Sequence, residues 1–139
     1  LTQLTNGIKK KDKINFNNVI LQEYINSEYL YVAHILCNNG VIVMSKIYYK
    51  QNPEKYYISK GSIIDYNTRD INCDEYDIFS KILKLNNYHG VCCIDYTIDS
   101  NNKIKIFEIN PRFGGSLIEN EKDLNLFILT MIEHNITYG

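Results

Sequence analysis

The chain is organised around residues 104–116, which read Ile-Lys-Ile-Phe-Glu-Ile-Asn-Pro-Arg-Phe-Gly-Gly-Ser. Because side chains alternate between the two faces of a strand, this pattern predicts a strand with oxygen ligands on one face. That face would carry Ile104, Ile106, Glu108 and Asn110. Pro111 marks the strand end, since it cannot donate to a sheet ladder, and Arg112 can then reach over the end of the strand that carries Glu108 and Asn110. A carboxylate, an amide oxygen and a guanidinium at one place suit Mg²⁺ together with phosphate.

A second acidic residue lies in the preceding apolar run, residues 90–98. This run alternates as a strand and places Asp95 near its middle. Residues 99–102, Asp-Ser-Asn-Asn, are typical of a turn, so we predict a hairpin in which Asp95 lies almost opposite Glu108. Two carboxylates on facing strands repel each other unless a positive group lies between them. The pair is therefore a candidate metal site, and the alternative is two solvent-exposed acids on an edge hairpin.

Composition excludes several classes of partner. The 139 residues carry a net charge of −1 and a pI of about 6.3, so no global field favours nucleic acid or an anionic membrane. No stretch approaches the roughly 20 apolar residues of a membrane span. We therefore expect a soluble, cytoplasmic protein with no nucleic-acid or membrane partner. Helically spaced apolar residues from Leu1, without a helix-start signal before them, indicate the tail of a longer helix, so we interpret residues 1–139 as a fragment of one domain.

The cysteines and histidines do not form a recognisable metal-binding pattern. The four cysteines are Cys37, Cys73, Cys92 and Cys93. They lack zinc-type spacing and are typical of buried, reduced side chains in a cytosolic protein. A catalytic thiol at Cys93, on the Asp95 face of its strand, stays open as an alternative, although the sequence places no histidine to activate it.

Periodicity along the rest of the chain predicts an α+β fold. Strands are predicted at residues 19–25, 28–37, 41–49, 91–98 and 104–110. Residues 50–55 read as a loop, and residues 56–64 as a short strand pair or a mobile lid. One helix is predicted from Asn72 or Asp74 to about Asn86, with Ile78, Ile82 and Leu85 on its inner stripe and Phe79 and Leu83 beside it. A second helix is predicted from about Asn120 to His134, and its apolar residues at helical spacing are Leu124, Phe127, Ile128, Met131 and Ile132. The result is a mostly antiparallel sheet covered on one face by helices.

Three features, in order along the chain, resemble the ATP-grasp family. First, Gln22-Glu23-Tyr24-Ile25 resembles the hinge strand whose backbone meets the adenine, and Glu28 occupies the position that holds the ribose hydroxyls. Second, Asp95 and Glu108 are thirteen residues apart across a polar turn, as in D-alanine:D-alanine ligase-like members. Third, residues 108–112, Glu-Ile-Asn-Pro-Arg, resemble the closing motif of the family.

The resemblance covers about residues 19–116 and implies a role for each of these side chains. It implies that Asp95, Glu108 and Asn110 bind magnesium, with Glu108 bridging two ions, and that Arg112 touches the transferred phosphate or acyl phosphate. The Pro-Arg-Phe-Gly-Gly-Ser ending is similar to members of the carbamoyl-phosphate synthase large-subunit-like and general carboxylate-amine ligase type. The implied fold is the C-terminal subdomain of an ATP-grasp domain, with ATP and Mg²⁺ (or Mn²⁺) as cofactors.

The chain departs from the family pattern in its phosphate clamp. The Gly-rich phosphate loop and the phosphate-binding lysines of the family's upstream half have no counterpart here, so we expect the isolated chain to be inactive and to pair with itself through an exposed sheet edge. Cys93 stands where some relatives carry an arginine on the phosphate. Lys60 or Lys46 is the candidate for this missing positive charge, and the alternative is that both are ordinary exposed lysines.

The resemblance implies that the full-length protein is an ATP-dependent ligase. It would join a small-molecule carboxylate to an amine or ammonia through an acyl phosphate. Two alternatives stay open: a noncatalytic nucleotide-binding or assembly module with a solvated acidic hairpin, and a metal-dependent hydrolase that uses Asp95 and Glu108. The hydrolase reading leaves the hinge and ribose positions unexplained.

Overall fold

The computed structural model describes residues 23–52 and 66–137. Two residues of the predicted site, Gln22 and Lys60, lie outside these ranges, as does the segment 56–64. The strand predicted at residues 19–25 is described only from Glu23 onward, and Glu23 to Ile25 form no strand.

The described residues contain one five-stranded sheet. Its strands are β1 (Tyr29–Asn38), β2 (Val41–Gln51), β3 (Asn67–Arg69), β4 (Gly90–Ile98) and β5 (Ile104–Asn110). Their order across the sheet is β3-β2-β1-β4-β5, and every neighbouring pair is antiparallel. The sequence does not predict β3, because a strand of three polar residues shows no hydrophobic alternation. The strands predicted at 28–37, 41–49, 91–98 and 104–110 are confirmed.

The β1–β2 hairpin turns at the predicted position. Asn39 and Gly40 have φ values of 49° and 83°, the positive values that a tight two-residue hairpin turn requires. A Cβ on Gly40 would lie 2.8 Å from the Cα of Lys84, so the close approach of the following helix also requires glycine. Strand β2 continues to Gln51, which brings Lys50 into the sheet instead of into the predicted loop.

Helix α1 (Cys73–Leu85) begins after Asn72, one of its two predicted caps. The Asn72 side chain accepts a hydrogen bond from the backbone N–H of Glu75, and the Glu75 carboxylate accepts one from the backbone N–H of Asn72, which forms a capping box. The predicted inner stripe is rotated, however, because the buried residues are Glu75, Phe79 and Leu83, while Leu85 is 86% exposed. A stripe chosen from apolar residues alone omits Glu75, the acid that the helix buries.

The predicted α+β class is confirmed, but the helices cover both faces of the sheet instead of one. Helix α1 packs on the first face, through Phe79 and Leu83. The short helix α2 (Gly115–Ile118) and helix α3 (Glu121–Glu133) pack on the second face, through Leu117 and Phe127. Alternation divides the central strands between two cores, so Ala33, Ile35, Ile94 and Tyr96 face α1, and Leu36, Tyr48 and Val91 face α2 and α3.

Helix α3 occupies the predicted range and buries only part of its predicted apolar stripe. Phe127 is fully buried, and Leu124 and Met131 pack beside it. Ile128 and Ile132 are exposed. Among the described residues, no helix is both long and apolar enough to span a membrane.

Candidate functional site

A β-bulge in β5 determines where the candidate ligands point. Asp95 pairs with Glu108, but the next residue of β4, Tyr96, pairs with Ile106, so Phe107 is the extra residue. Ile106 therefore packs with Tyr96 in the core beneath α1, whereas Glu108 shares the second face with Asp95. The predicted strand with all four side chains on one face is wrong for this reason. The predicted pairing of Asp95 with Glu108 is confirmed.

Asn110 lies next to both carboxylates. Its Nδ2 donates to Glu108 Oε1 at 2.8 Å and more weakly to Asp95 Oδ2 at 3.4 Å. Rotating the amide by about 180° exchanges its nitrogen and oxygen, and the amide oxygen would then face the two carboxylates. Such a set suits Mg²⁺ or Mn²⁺. No group of three or more His, Cys, Asp or Glu side chains with metal-binding geometry occurs in residues 23–52 and 66–137, so the remaining ligands would come from a bound molecule or water.

The ionised form of the Asp95 carboxyl is electrostatically unfavourable in its surroundings. Burial and the nearby Glu108 carboxylate raise the pKa of Asp95 to about 6, although Arg112 and Asn110 act in the opposite direction. A raised pKa with these causes means that the charged form is incompletely compensated by the protein. A cation between the two acids would reverse the effect, which is the electrostatic behaviour expected of a metal site.

The loop after β5 is held against the sheet by His34 of β1. His34 Nε2 and Ser116 Oγ are hydrogen-bonded at 2.8 Å. A Cβ on Gly114 would lie 2.5 Å from His34 Cε1 and 3.2 Å from Cys93, so the loop can pack this closely only with glycine at that position. Arg112 is exposed, and its guanidinium donates to the carbonyl of Phe113 at 3.0 Å. The loop thus places Arg112 close enough to affect the pKa of Asp95.

Sequence reasoning missed His34, which lies directly opposite Cys93 on the neighbouring strand. The alternation of β1 could have indicated it, since a histidine between buried apolar residues of one strand face needs a polar partner. Burial lowers the pKa of His34 to about 4, so its imidazole is neutral at pH 7. Burial also raises the pKa of the Cys93 thiol, which opposes the thiolate that a nucleophilic cysteine needs.

Of the two lysines considered for phosphate binding, only Lys46 lies within the described residues. Lys46 Nζ forms an ion pair with Asp70 at 3.2 Å, on the β2–β3 side of the sheet. Lys60 lies outside the described residues. Lys50, which sequence reasoning did not select, is 6% exposed and lines a cavity together with Asp95.

Two cavities share Phe107, the extra residue of the bulge, in their lining. One, of about 340 Å³, lies between Glu23 and Ile25 and the edge formed by residues 104–107. The Lys105 ammonium joins the two sides of this cavity through an ion pair with Glu23 at 3.5 Å. The other, of about 120 Å³, extends from Phe107 to Asp95. Phe107 therefore lines both the cavity beside the predicted hinge and the cavity beside Asp95.

Glu28 lies in a separate cavity of about 550 Å³, whose lining includes Tyr29, Asp99 and Asn102 but neither Asp95 nor Glu108. The Glu28 carboxylate raises the pKa of Tyr29 through its charge and through a hydrogen bond. Tyr24 of the predicted hinge is 54% exposed and lines none of these three cavities.

Comparison with protein families found a match. A family model described as an ATP-grasp domain matches residues 3–116, which include the predicted hinge, the acidic pair and the chain as far as Ser116. A comparison with curated proteins found no match.

Proposed function

The chain belongs to the ATP-grasp family, and on that premise we propose that it forms the ATP- and metal-binding part of an ATP-dependent carboxylate–amine (or ammonia) ligase. The observation that carries the proposal is the acidic pair itself. Asp95 and Glu108 face each other only because a bulge turns Glu108 towards the second face, with Asn110 next to both. A fold that exposes two repelling acids beside a cavity is well suited to a cation and a phosphate.

In the proposed reaction, a carboxylate oxygen of the acceptor acid attacks the γ-phosphorus of ATP. The bond from this phosphorus to the β,γ-bridging oxygen breaks, and ADP leaves with the electron pair. The amine then attacks the carbonyl carbon of the acyl phosphate, inorganic phosphate leaves, and the amine gives up its proton. Phosphoryl transfer of this kind requires positioning and charge neutralisation more than covalent help from the protein.

The residues of this chain would divide these tasks. Asp95, Glu108 and Asn110 would hold Mg²⁺ or Mn²⁺, which when bound neutralises phosphate oxygens and the leaving group. Arg112 would neutralise the transferred phosphate or the oxyanion that develops on the acyl carbon. A guanidinium suits this role because its planar donors match the oxygens of a phosphate.

The nucleotide would extend from the hinge to the acidic pair. The 340 Å³ cavity between Glu23, Ile25 and β5 supports adenine binding at the hinge, Gln22-Glu23-Tyr24-Ile25. The cavity that continues from Phe107 to Asp95 supports the phosphate end of this path. Glu28 stays our proposal for the ribose hydroxyls, and its carboxylate would have to exchange the Tyr29 contact for the ribose.

The test is magnesium-dependent nucleotide binding by the protein at its full natural length. We expect Mg²⁺ to tighten ATP binding in the wild type and Glu108→Gln to remove this tightening. ADP formation with a panel of carboxylic acids and amines should fall by about 100-fold or more in the variant, because an electrostatic contact of the transition state is lost. Glu121→Gln, at an exposed position of α3, is the matched control and should behave as the wild type.

Three results would change the proposal. Near-normal turnover in Glu108→Gln would refute the metal assignment. Nucleotide binding by the wild type without turnover on any substrate would favour the noncatalytic module, and hydrolysis without nucleotide binding would favour the metal-dependent hydrolase.

A further inference from the structure

Lys50, near the end of β2, is a buried lysine that the sequence analysis assigned to a loop. Lys50 is only 6% exposed, although lysine is among the residue types that are least often fully buried. The ammonium Nζ lies 5.3 Å from the centroid of the Tyr66 ring. A cation over an aromatic face recovers part of the cost of burial, and the fold therefore maintains a desolvated positive charge at this position.

This charge lines the same small cavity as Asp95. The cavity has a volume of about 120 Å³, and its lining combines Lys50 and Asp95 with the aromatic side chains of Tyr66 and Phe107. Since water occupies about 30 Å³ per molecule in the liquid, this volume corresponds to about four water molecules. It can accept a compact group such as a phosphoryl group, whereas a complete nucleotide needs the neighbouring space as well.

The charges around the cavity favour an anion that also binds a metal ion. Asp95 lines the cavity and is paired with Glu108, with which it would hold the cation, and Lys50 supplies a positive charge within the same cavity. Lys46, which lies on the same strand, forms an ion pair with Asp70 and does not line this cavity. We propose that the Lys50 ammonium binds a phosphoryl oxygen of the nucleotide whose metal ion is held at Asp95 and Glu108. This inference rests on the proposed function.

The experiment compares two lysines of one strand in the protein at its full natural length. Dissociation constants for Mg-ATP, Mg-ADP and adenosine are measured by calorimetry for the wild type, Lys50→Met, Lys50→Arg and Lys46→Met. We expect Lys50→Met to weaken binding of a phosphorylated ligand by about tenfold or more, as for loss of a charged hydrogen bond, while adenosine binding is unchanged. Lys50→Arg should recover part of the loss, and Lys46→Met should have no effect.

Each outcome has one meaning. Weakening of both nucleotides supports a contact with the β-phosphate, and weakening of Mg-ATP alone supports a contact with the γ-phosphate. Unchanged affinity for both, or an equal loss for adenosine, overturns the role of Lys50 and leaves the proposed function intact. A wild type that binds no nucleotide overturns both. If Lys50→Met does not fold, Lys50→Gln is used for the same comparison.

Discussion

Two carboxylates on opposite faces of one sheet, Glu75 and Asp95, have opposite environments. Glu75 is fully buried, and it accepts hydrogen bonds from Arg69 Nη1 at 2.8 Å, from the Tyr96 hydroxyl at 2.5 Å and from a backbone N–H at 3.1 Å. Asp95 faces the like charge of Glu108 and receives a weak hydrogen bond from Asn110 at 3.4 Å. The protein therefore compensates the charge of Glu75 and leaves the charge of Asp95 incompletely compensated.

The two pKa values record this difference. Burial would raise the pKa of Glu75, but the hydrogen bonds from Arg69, Tyr96 and the backbone outweigh it, and the pKa lies below its ordinary value. For Asp95, burial and the charge of Glu108 act in the same direction and raise the pKa to about 6. The buried Glu75 thus has complete partners within the fold, whereas the half-buried Asp95 lacks them and is for that reason a candidate site residue.

The side chains around Glu75 also support the strand that carries Asp95. The Tyr96 ring stacks on Tyr31 with centroids 5.1 Å apart and meets Phe79 edge-on at 5.2 Å, while the Arg69 guanidinium lies 5.3 Å from the centroid of the Tyr31 ring. Tyr96 is the residue after Asp95 and the point where the register of β5 shifts. The network around Glu75 therefore fixes the strand on which Asp95 is displayed, as a rigid support for a site should.

The largest effect is expected at Glu75. Glu75→Gln should lower the free energy of unfolding by about 3 kcal/mol, because the Arg69 charge loses its buried partner; the value is at the low end since the Arg69 side chain is 30% exposed. Urea denaturation measures it. Glu133→Gln, at the exposed end of α3, is the control and should change stability by less than about 0.5 kcal/mol. A Glu75→Gln variant as stable as this control would contradict the stabilising role.

A smaller effect is expected at Asp95, where Asp95→Asn should make the metal-free protein more stable and not less. Between pH 4 and 6 the folded state retains a proton on Asp95 that the unfolded state has released, so this group makes the metal-free protein less stable as pH rises through that window. Across this window, the free energies of unfolding of Asp95→Asn and the wild type should come to differ by about 2 kcal/mol. This value is smaller than the full pKa shift would give, because solvent screens the charges. Saturating Mg²⁺ should remove it.

The measurement for Asp95 must be this difference, because His34 acts oppositely in the same range. Its lowered pKa means that the unfolded state binds the extra proton below about pH 6.5, so His34 makes the protein more stable as pH rises from about 4. Glu75 contributes stability above its ordinary pKa of 4.5 that is lost as pH falls through its lower folded value. If the difference in free energy of unfolding between the wild type and Asp95→Asn does not change from pH 4 to 6, the folded protein does not disfavour the ionised form of Asp95.

The smallest effect is expected at Lys46, whose partner Asp70 has a side chain that is 91% exposed. Lys46→Met should change the free energy of unfolding by less than about 0.5 kcal/mol, because water and salt screen an exposed ion pair. Thermal unfolding at low and high salt measures it. A loss as large as that of Glu75→Gln would mean that exposure is a poor guide to which acids the fold needs.

Much of the site could be predicted from local sequence, and some of it could not. That Asp95 and Glu108 lie almost opposite each other follows from a short polar turn between two alternating runs, and the cap at Asn72 follows from an Asn three residues before a Glu. The predicted inner stripe of helix α1 is rotated because it was chosen from apolar residues, which leaves out Glu75. Lys50 was assigned to a loop because residues 50–55 are polar and contain Pro53.

The sequence by itself determined the hairpins, the cap and the approximate position of Glu108 across from Asp95, because each depends on contacts between residues that are close along the chain. Only the tertiary structure decided the bulge at Phe107, the burial of Glu75 and the position of Lys50 beside Asp95. The bulge exists because Ile104 and Ile106 pack beneath α1 while Glu108 faces the other side of the sheet. One strand cannot satisfy both requirements with strict alternation, and which residue is added depends on the packing of elements that are distant in sequence.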